Sequence, residues 1–234
     1  MDLKGWVRTS LVDYPEHIAT VLFTGGCNFR CPMCHNADLV TRPQELPTLP
    51  EEEVWKFLGR RVGLIEGVVI TGGEPTLQPT LLSFLRRLRE SDLAMKVKLD
   101  TNGYRPDVLA AVLDERLVDY VAMDIKAPPG KYALLAGRDG LDVGRVARSI
   151  ALLRDGEGTY EFRTTVVPGL LVEQDVGEIA RWIEGAERYV LQQFRPQGTL
   201  DPGLEAVSPS SRDHLQQMAM RAEQWVQHVT LRGL

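Results

Sequence analysis

The alternation of strand-like and helix-like segments is the feature of this sequence that most restricts its fold. Runs rich in β-branched and aromatic residues are separated by segments with helical periodicity. Strands that are joined by helices pair in parallel, because the connecting helix returns the chain to the same edge of the sheet. We therefore expect an α/β fold, a partial (β/α)6 barrel of parallel strands. The predicted strands are His17–Thr24, Glu66–Thr71, Met95–Asp100, Val118–Asp124, Tyr160–Val166 and Arg188–Phe194.

The helices between and after these strands show apolar residues at helical spacing. A β-prone segment near Asp2–Arg8 is expected to add an N-terminal β extension, and a final helix is expected over about Pro209–Gln227. Arg42–Pro50 and Pro128–Gly140 are expected to be loops. A chain of 234 residues is long enough for a single domain, which we expect to span 1–234. The other predicted helices are Glu51–Arg61, Leu81–Glu90, Pro106–Glu115, Gly144–Leu153 and Val172–Glu184.

Charge and hydropathy exclude two classes of partner. The net charge is −5 and no block of lysine and arginine interrupts it, so we expect no binding to nucleic acid. No apolar run approaches the roughly 18 residues of a membrane span, so we expect no membrane partner. The three cysteines lie together in Cys27–Cys34, whereas a secreted disulfide framework needs an even number that is spread along the chain. These features predict a cytoplasmic protein.

The cysteines form the pattern C-x-x-x-C-x-x-C directly after the first predicted strand, at Cys27, Cys31 and Cys34. Three thiolates from one short loop can ligate three corners of a [4Fe–4S] cluster and leave the fourth iron open for an exchangeable ligand. Zinc with His35 as the fourth ligand is an alternative, although the adjacent Cys34 and His35 fit a tetrahedral site poorly. Inert buried cysteines are a third interpretation.

Thr71-Gly72-Gly73-Glu74-Pro75 follows the second predicted strand. Glycines allow a ligand to approach the backbone closely, and a carboxylate such as that of Glu74 can bind an ammonium group. The same residues also suit a tight turn between a strand and a helix.

Polar residues also follow the third and fourth predicted strands. Asp100 and Asn102 can bind ribose hydroxyls, although Asn102-Gly103 is a turn signal in its own right. Asp124 and Lys126 share one face of an extended run, where they can bind a ligand or simply form an ion pair. Because sites in parallel α/β folds are built at the carboxyl ends of strands, we consider all four residues candidates for ligand binding.

The cysteine pattern after the first strand resembles that of the radical S-adenosylmethionine enzymes. In that family the open iron binds the amino and carboxylate groups of the cofactor's methionine. Electron transfer from the reduced cluster then breaks a carbon–sulfur bond and gives methionine and a 5′-deoxyadenosyl radical. The resemblance implies that Cys27, Cys31 and Cys34 are the metal ligands and the catalytic centre. The residue before the third cysteine is usually aromatic, whereas here it is Met33, an adaptable apolar side chain.

The resemblance also implies which residues bind S-adenosylmethionine. The Gly72–Glu74 segment corresponds to the one that holds the methionine amino group, and Asp124–Lys126 to the one that touches the ribose and the carboxylate. Val166–Gly169 and Gln192–Pro196 correspond to segments that flank the adenine, but Arg195 stands where some relatives have a ligand-contacting histidine. His17, His214 and His228 are expected at the surface or in helix packing. The cofactor-binding residues expected are Met33, Cys34, His35, Gly72, Gly73, Glu74, Asp100, Asn102, Asp124, Ile125 and Lys126.

Several longer segments resemble activating proteins of anaerobic ribonucleoside-triphosphate reductases. They are Gly5 with Arg8–Pro15, Cys31–Asn36, Thr71–Gln78, Leu99–Pro106 and Met123–Pro128. This resemblance implies that the chain removes hydrogen from a backbone glycine of a glycyl-radical enzyme, with an electron donor such as flavodoxin or ferredoxin. The Thr9–Pro15 segment itself could be a β-hairpin that covers the barrel, or a partner surface.

Three alternatives stay open at this point. The chain could activate a different glycyl-radical enzyme, such as a pyruvate formate-lyase. It could act on a small molecule, as 7-carboxy-7-deazaguanine synthase does. It could also be a non-catalytic zinc-binding module.

Overall fold

Eight strands form one sheet in which the spatial order follows the chain order, β1 to β8. The structure is a computed structural model and describes residues 1 to 234. Strand β1 runs antiparallel to β2, whereas β2, β3 and β4 are parallel to one another and so are β6, β7 and β8. The strands are β1 Leu3–Ser10, β2 Ala19–Thr24, β3 Gly67–Gly72, β4 Lys96–Thr101, β5 Tyr120–Asp124, β6 Thr159–Val166, β7 Arg188–Gln193 and β8 His228–Arg232.

This arrangement confirms the expected α/β fold, because the six predicted strands are β2 to β7 and the predicted extension is β1. The final helix is also present, and a strand that the sequence analysis does not predict, β8, follows it. None of the helices combines the length and the apolar character needed to cross a bilayer. The helices are α1 Ala37–Thr41, α2 Glu51–Arg60, α3 Leu81–Glu90, α4 Pro106–Asp114, α5 Tyr132–Ala136, α6 Val143–Arg154, α7 Glu173–Trp182 and α8 Arg212–Ala222.

The expectation that Pro128–Gly140 is only a loop is wrong. A 3-10 turn at Pro129–Lys131 leads into α5, and Gly137 ends this helix in the left-handed region at φ 58°. The prolines and glycines of the segment enclose the sequence Tyr-Ala-Leu-Leu-Ala, whose good helix formers are enough for one short helix. The predicted loop Arg42–Pro50 likewise contains a 3-10 turn, Pro43–Glu45.

The chain divides into two compact units. The first unit consists of Met1–Asn28, Asp38–Thr101 and Arg105–Val121. Its core packs alternate residues of β2, β3 and β4, such as Leu22, Ile70 and Leu99, against apolar residues of α2, α3 and α4. At one edge, β1 and β2 form an antiparallel hairpin that is connected by residues 11–18. The Thr9–Pro15 segment ends β1 and begins this connection, where Leu11 and Val12 are 73% and 80% exposed.

The second unit consists of Phe29–Ala37, Asn102–Tyr104 and Ala122–Leu234. Its core is built on the buried faces of β6 and β7, including Phe162 and Leu191, and on the apolar faces of α7 and α8. The predicted site residues are divided between the units. Cys27, Gly72–Glu74 and Asp100 belong to the first, and the others belong to the second.

Candidate active site

In the first unit, the glycine pair after β3 lies directly against the chain that leads to Cys27. A Cβ atom on Gly73 would stand 2.0 Å from the carbonyl oxygen of Gly26, and one on Gly72 would stand 2.3 Å from the amide nitrogen of Thr24. The Gly73 N–H donates to the Thr24 carbonyl at 2.9 Å, and the Glu74 N–H donates to the Gly26 carbonyl at 2.8 Å. Glycine is therefore required at both positions by the close approach of two backbones, and the contact fixes the residue before Cys27.

The Glu74 carboxylate is buried, with only 1% of the residue exposed. Its Oε1 atom accepts hydrogen bonds from the Thr76 N–H at 3.1 Å and from the Thr101 hydroxyl at 2.7 Å. Glu74 thereby joins the end of β3 to the end of β4. These hydrogen bonds give Glu74 a structural role. The contact between its carboxylate and an ammonium group, which the sequence analysis expects, stays a prediction.

Asp100 forms an ion pair with Lys98, a lysine that the sequence analysis misses. Lys98 is only 1% exposed, although Lys96 on the same strand is exposed. Buried lysines are uncommon and need a counter-charge, which Asp100 supplies. Lys98 could have been identified from the sequence, because side chains two residues apart on a strand share a face, and this places Lys98 beside Asp100.

In the second unit, the cysteine loop is held by two segments that carry no recognisable sequence pattern. The Cys34 N–H donates to the Cys31 carbonyl at 3.0 Å, which makes a tight turn between these two cysteines. The Leu200 and Asp201 N–H groups donate to the carbonyls of Cys34 and Pro32, both at 2.9 Å. On the other side, the Arg30 N–H donates to the Ala136 carbonyl at the end of α5 at 2.8 Å.

Cys31 is 7% exposed, and burial raises the pKa of its thiol to about 11. The positive charge of Lys126 acts in the opposite direction, although it does not overcome the effect of burial. Metal binding requires the thiolate, which a nearby cation stabilises. The charge of Lys126 therefore favours the thiolate form of Cys31.

The Asp124 and Lys126 side chains do form the ion pair that their spacing allows, with Nζ and Oδ2 3.0 Å apart. Asp124 has a second cationic partner, because the Arg163 Nε donates to its Oδ1 at 2.8 Å. Burial alone would raise the pKa of Asp124, but Arg163 and Lys126 outweigh it and hold this pKa well below its usual range. The Ile125 N–H donates to the Arg163 carbonyl at 2.7 Å. The sequence analysis does not identify Arg163.

The other predicted site residues have defined partners as well. His35 places Nε2 2.8 Å from the Arg195 carbonyl oxygen and stacks on Phe194, with ring centroids 6.3 Å apart. Arg195 thus contacts His35 through its backbone carbonyl. Asn102 accepts a hydrogen bond from the Tyr104 N–H at 3.0 Å, which is its turn role, and Met33 is 6% exposed.

The comparison with known proteins decides the family. Residues 21–183 match the Radical SAM superfamily, which covers more than half of the chain. The chain belongs to the Radical SAM superfamily. It is therefore an oxidoreductase whose cofactors are a [4Fe–4S] cluster and S-adenosylmethionine.

Two relatives extend this similarity beyond the shared domain. The first is a Methanocaldococcus jannaschii protein named for a proposed role as a glycyl-radical enzyme activating enzyme. It is 30% identical over 99% of this chain and 96% of its own length. The second is the pyruvate formate-lyase-activating enzyme of Staphylococcus aureus, which is 27% identical over 84% of this chain and 83% of its own.

Two solved structures share the fold. The Streptococcus suis protein SuiB bound to S-adenosylmethionine has a TM-score of 0.66 at 14% identity, over 91% of this chain and 52% of its own. TYW1 with a lysine-pyruvate adduct has a TM-score of 0.62 at 14% identity, over 88% of this chain and 73% of its own.

The residues present fit the two cofactors. None of the three cysteines is part of a disulfide, and thiolate is the ligand that iron–sulfur clusters require. His35, the fourth ligand of the zinc alternative, places Nε2 against a backbone carbonyl. Within the second unit, Asp124 has an acidic side chain of the kind that binds ribose hydroxyls, and Lys126 has a basic side chain of the kind that binds a carboxylate.

Proposed function

We propose that this radical SAM enzyme is an activase that generates a glycyl radical on a partner enzyme, an anaerobic ribonucleoside-triphosphate reductase. The observation that carries the proposal is the near full-length similarity to the Methanocaldococcus jannaschii protein, because it covers 99% of this chain and 96% of that relative. The choice of reductase as the partner rests on the resemblance of five segments to reductase-activating proteins. They are Gly5 with Arg8–Pro15, Cys31–Asn36, Thr71–Gln78, Leu99–Pro106 and Met123–Pro128.

In this proposal Cys27, Cys31 and Cys34 hold the cluster, and an electron donor such as flavodoxin or ferredoxin reduces it. The cluster, when bound, supplies the electron that splits S-adenosylmethionine into methionine and a 5′-deoxyadenosyl radical. That radical takes one hydrogen atom from the α-carbon of a glycine and becomes 5′-deoxyadenosine. Glycine is a suitable donor because the product radical is delocalised over the adjacent amides.

The residues around S-adenosylmethionine would bind and orient it. Lys126 carries the positive charge for the methionine carboxylate, and Asp124 the negative charge for the ribose hydroxyls. Arg163 keeps Asp124 ionised at neutral pH, since it holds the pKa of that carboxyl low. Further contacts are proposed for Met33, Cys34, His35, Gly72, Gly73, Glu74, Asp100, Asn102 and Ile125.

Single replacement of Cys27, Cys31 or Cys34 by alanine tests the cluster. We expect each variant to lose both the iron content and the visible absorption of the anaerobically reconstituted protein, because two thiolates do not hold the cluster. Met33→Leu is the matched control, since it keeps a buried apolar side chain in the same loop. A variant that lacks one cysteine and still carries wild-type iron would contradict the assignment of that ligand.

Electron paramagnetic resonance tests the substrate. The protein is mixed without oxygen with a reductant, S-adenosylmethionine and either an anaerobic ribonucleotide reductase or a pyruvate formate-lyase from the same organism. We expect a stable doublet signal from the reductase alone, and none when Cys34→Ala replaces the wild type. A signal only with the lyase would move the function to the second candidate, which the similarity to the Staphylococcus aureus enzyme favours. A signal with neither partner would refute the activase proposal.

The predicted cellular setting belongs to the same proposal. Three cysteines that serve as cluster ligands and not as disulfides require a reducing compartment, which favours the cytoplasm. We also retain one radical SAM domain over residues 1–234 as a prediction. Limited proteolysis of the cofactor-loaded protein checks it, since a stable fragment much shorter than the chain would contradict it.

A further inference from the structure

Four charged side chains of the second unit, which lie on β5, β6 and β8, alternate in sign and end at Asp124. Arg163 of β6 donates to Asp124 with Nε at 2.8 Å, and its Nη1 stands 4.0 Å from Oε1 of Glu161. Glu161 lies two residues earlier on β6, so both side chains are on the same face of the strand. Arg232 of β8 then donates with both terminal nitrogens to the two oxygens of Glu161, at 3.1 and 3.0 Å.

Glu161 is the least exposed of these four side chains. Its side chain is 3% exposed, compared with 13% for Arg163, 31% for Asp124 and 39% for Arg232. A buried carboxylate must be paired, and the parallel two-bond contact with Arg232 is the strongest geometry that an arginine offers. This contact reaches over β7, which lies between β6 and β8 in the sheet. The unpredicted last strand is therefore tied to the strand that supports Asp124.

Arg163 stands between two carboxylates, and this placement determines where its guanidinium points. An arginine side chain has many rotamers, and a single exposed ion pair does not fix one of them. Glu161 attracts one terminal nitrogen while Asp124 accepts from Nε, so the guanidinium is held from both sides. Arg232 in turn fixes the position of the Glu161 carboxylate.

We propose that Glu161 and Arg232 are positioning residues for S-adenosylmethionine binding. They hold Arg163 so that Asp124 keeps the orientation that it needs to contact the cofactor. The inference rests on the proposed role of Asp124, and it adds that the C-terminal strand β8 contributes to the cofactor site through Arg232. Neither residue touches the cofactor in this scheme, so their effect must pass through Asp124.

The test measures S-adenosylmethionine affinity by calorimetry on anaerobically reconstituted protein, for wild type, Asp124→Asn, Arg232→Met and the combination of both. We expect Arg232→Met to keep its iron and to bind the cofactor about tenfold more weakly, as is common for residues that orient a ligand-binding side chain. In the Asp124→Asn background, Arg232→Met should cause no further loss, because the two changes act through one contact. A merely structural role would give additive losses.

Two further variants keep the test decisive. Glu161→Gln/Arg232→Met removes both charges together, so no carboxylate at position 161 is buried without the charge of Arg232. If Arg232→Met alone does not fold, the affinity is measured on this double variant instead. Arg86→Met is the matched control, because it breaks the equivalent two-bond pair with Glu115 in the first unit, and it should bind the cofactor like wild type.

The possible failures can be told apart. If Asp124→Asn weakens binding but the variants at Arg232 bind like wild type, or if the losses add, the positioning role is refuted and the proposed site stands. If Asp124→Asn itself binds like wild type, the proposed place of Asp124 in the cofactor site is refuted, and the positioning role with it.

Discussion

Replacing Gly73 with alanine perturbs the contact that fixes Gly26, the residue before Cys27. The new Cβ would lie 2.0 Å from the Gly26 carbonyl oxygen and 3.2 Å from its amide nitrogen, and both atoms belong to the backbone. Non-bonded carbon and oxygen atoms need more than 3 Å, so the two segments must separate by about 1 Å or more. The hydrogen bond from Glu74 N–H to the Gly26 carbonyl, now 2.8 Å long, would then be lost.

The cost has two parts. Forcing a methyl group into a packed region costs about 1–3 kcal/mol, and losing a buried backbone hydrogen bond costs about 1–3 kcal/mol. We therefore expect the free energy of unfolding to fall by about 2–6 kcal/mol in urea denaturation of the metal-free protein. Because Gly26 precedes Cys27, we also expect less iron after anaerobic reconstitution.

Gly59→Ala is the control for this experiment. Gly59 lies in α2 of the same unit, and its Cβ would meet nothing within 4 Å. The change should therefore leave stability unchanged or raise it by up to about 1 kcal/mol. If Gly73→Ala unfolded at the same urea concentration as Gly59→Ala and took up wild-type iron, the close-contact explanation for the glycine pair would be wrong.

Two further predictions concern buried titratable groups. In the metal-free protein, burial raises the pKa of Cys31 from 9.0 to about 11, so the unfolded chain releases the proton first. The free energy of unfolding, measured by urea denaturation, should therefore fall by about 2–3 kcal/mol as the pH rises from about 9 to about 11. This loss should be smaller in Cys31→Ala. Lys98→Met should destabilise the protein by about 3–5 kcal/mol, because it removes the buried cation of the Lys98–Asp100 ion pair. Lys96→Met, at an exposed position of the same strand, should cost about 1 kcal/mol or less, and equal losses in the two lysine variants would contradict the role of Lys98.

The strands could be predicted from the sequence because each is a short β-rich run that ends in glycine or polar residues. The predicted boundaries of β3 and β7 differ from the observed ones by one residue. Strand β8 was missed because His228–Arg232 is short and largely polar, and its place is set by pairing with β7 and not by its own pattern. Helix α5 was missed because prolines and glycines surround it.

The candidate site could be predicted only as far as its residues lie in local motifs. The cysteines, the glycine pair and the Asp124–Lys126 segment are each readable within a few neighbouring residues. Arg163, Glu161 and the backbone of Leu200–Asp201 act through partners far along the chain, so no local spacing marks them. Charged residues inside a strand, such as Glu161 and Arg163 among the aromatic and β-branched residues of β6, were the available signal.

Transfer of deuterium from the partner to the cofactor tests the central claim most directly. The anaerobic ribonucleotide reductase is prepared with deuterium on its glycine α-carbons and is mixed with this enzyme, a reductant and S-adenosylmethionine in the absence of oxygen. Mass spectrometry of the 5′-deoxyadenosine should show one deuterium per molecule, because the adenosyl radical takes the hydrogen directly from glycine. Unlabelled 5′-deoxyadenosine, formed while a glycyl radical accumulates on the reductase, would contradict direct abstraction, and unlabelled product without any glycyl radical would contradict the proposed substrate.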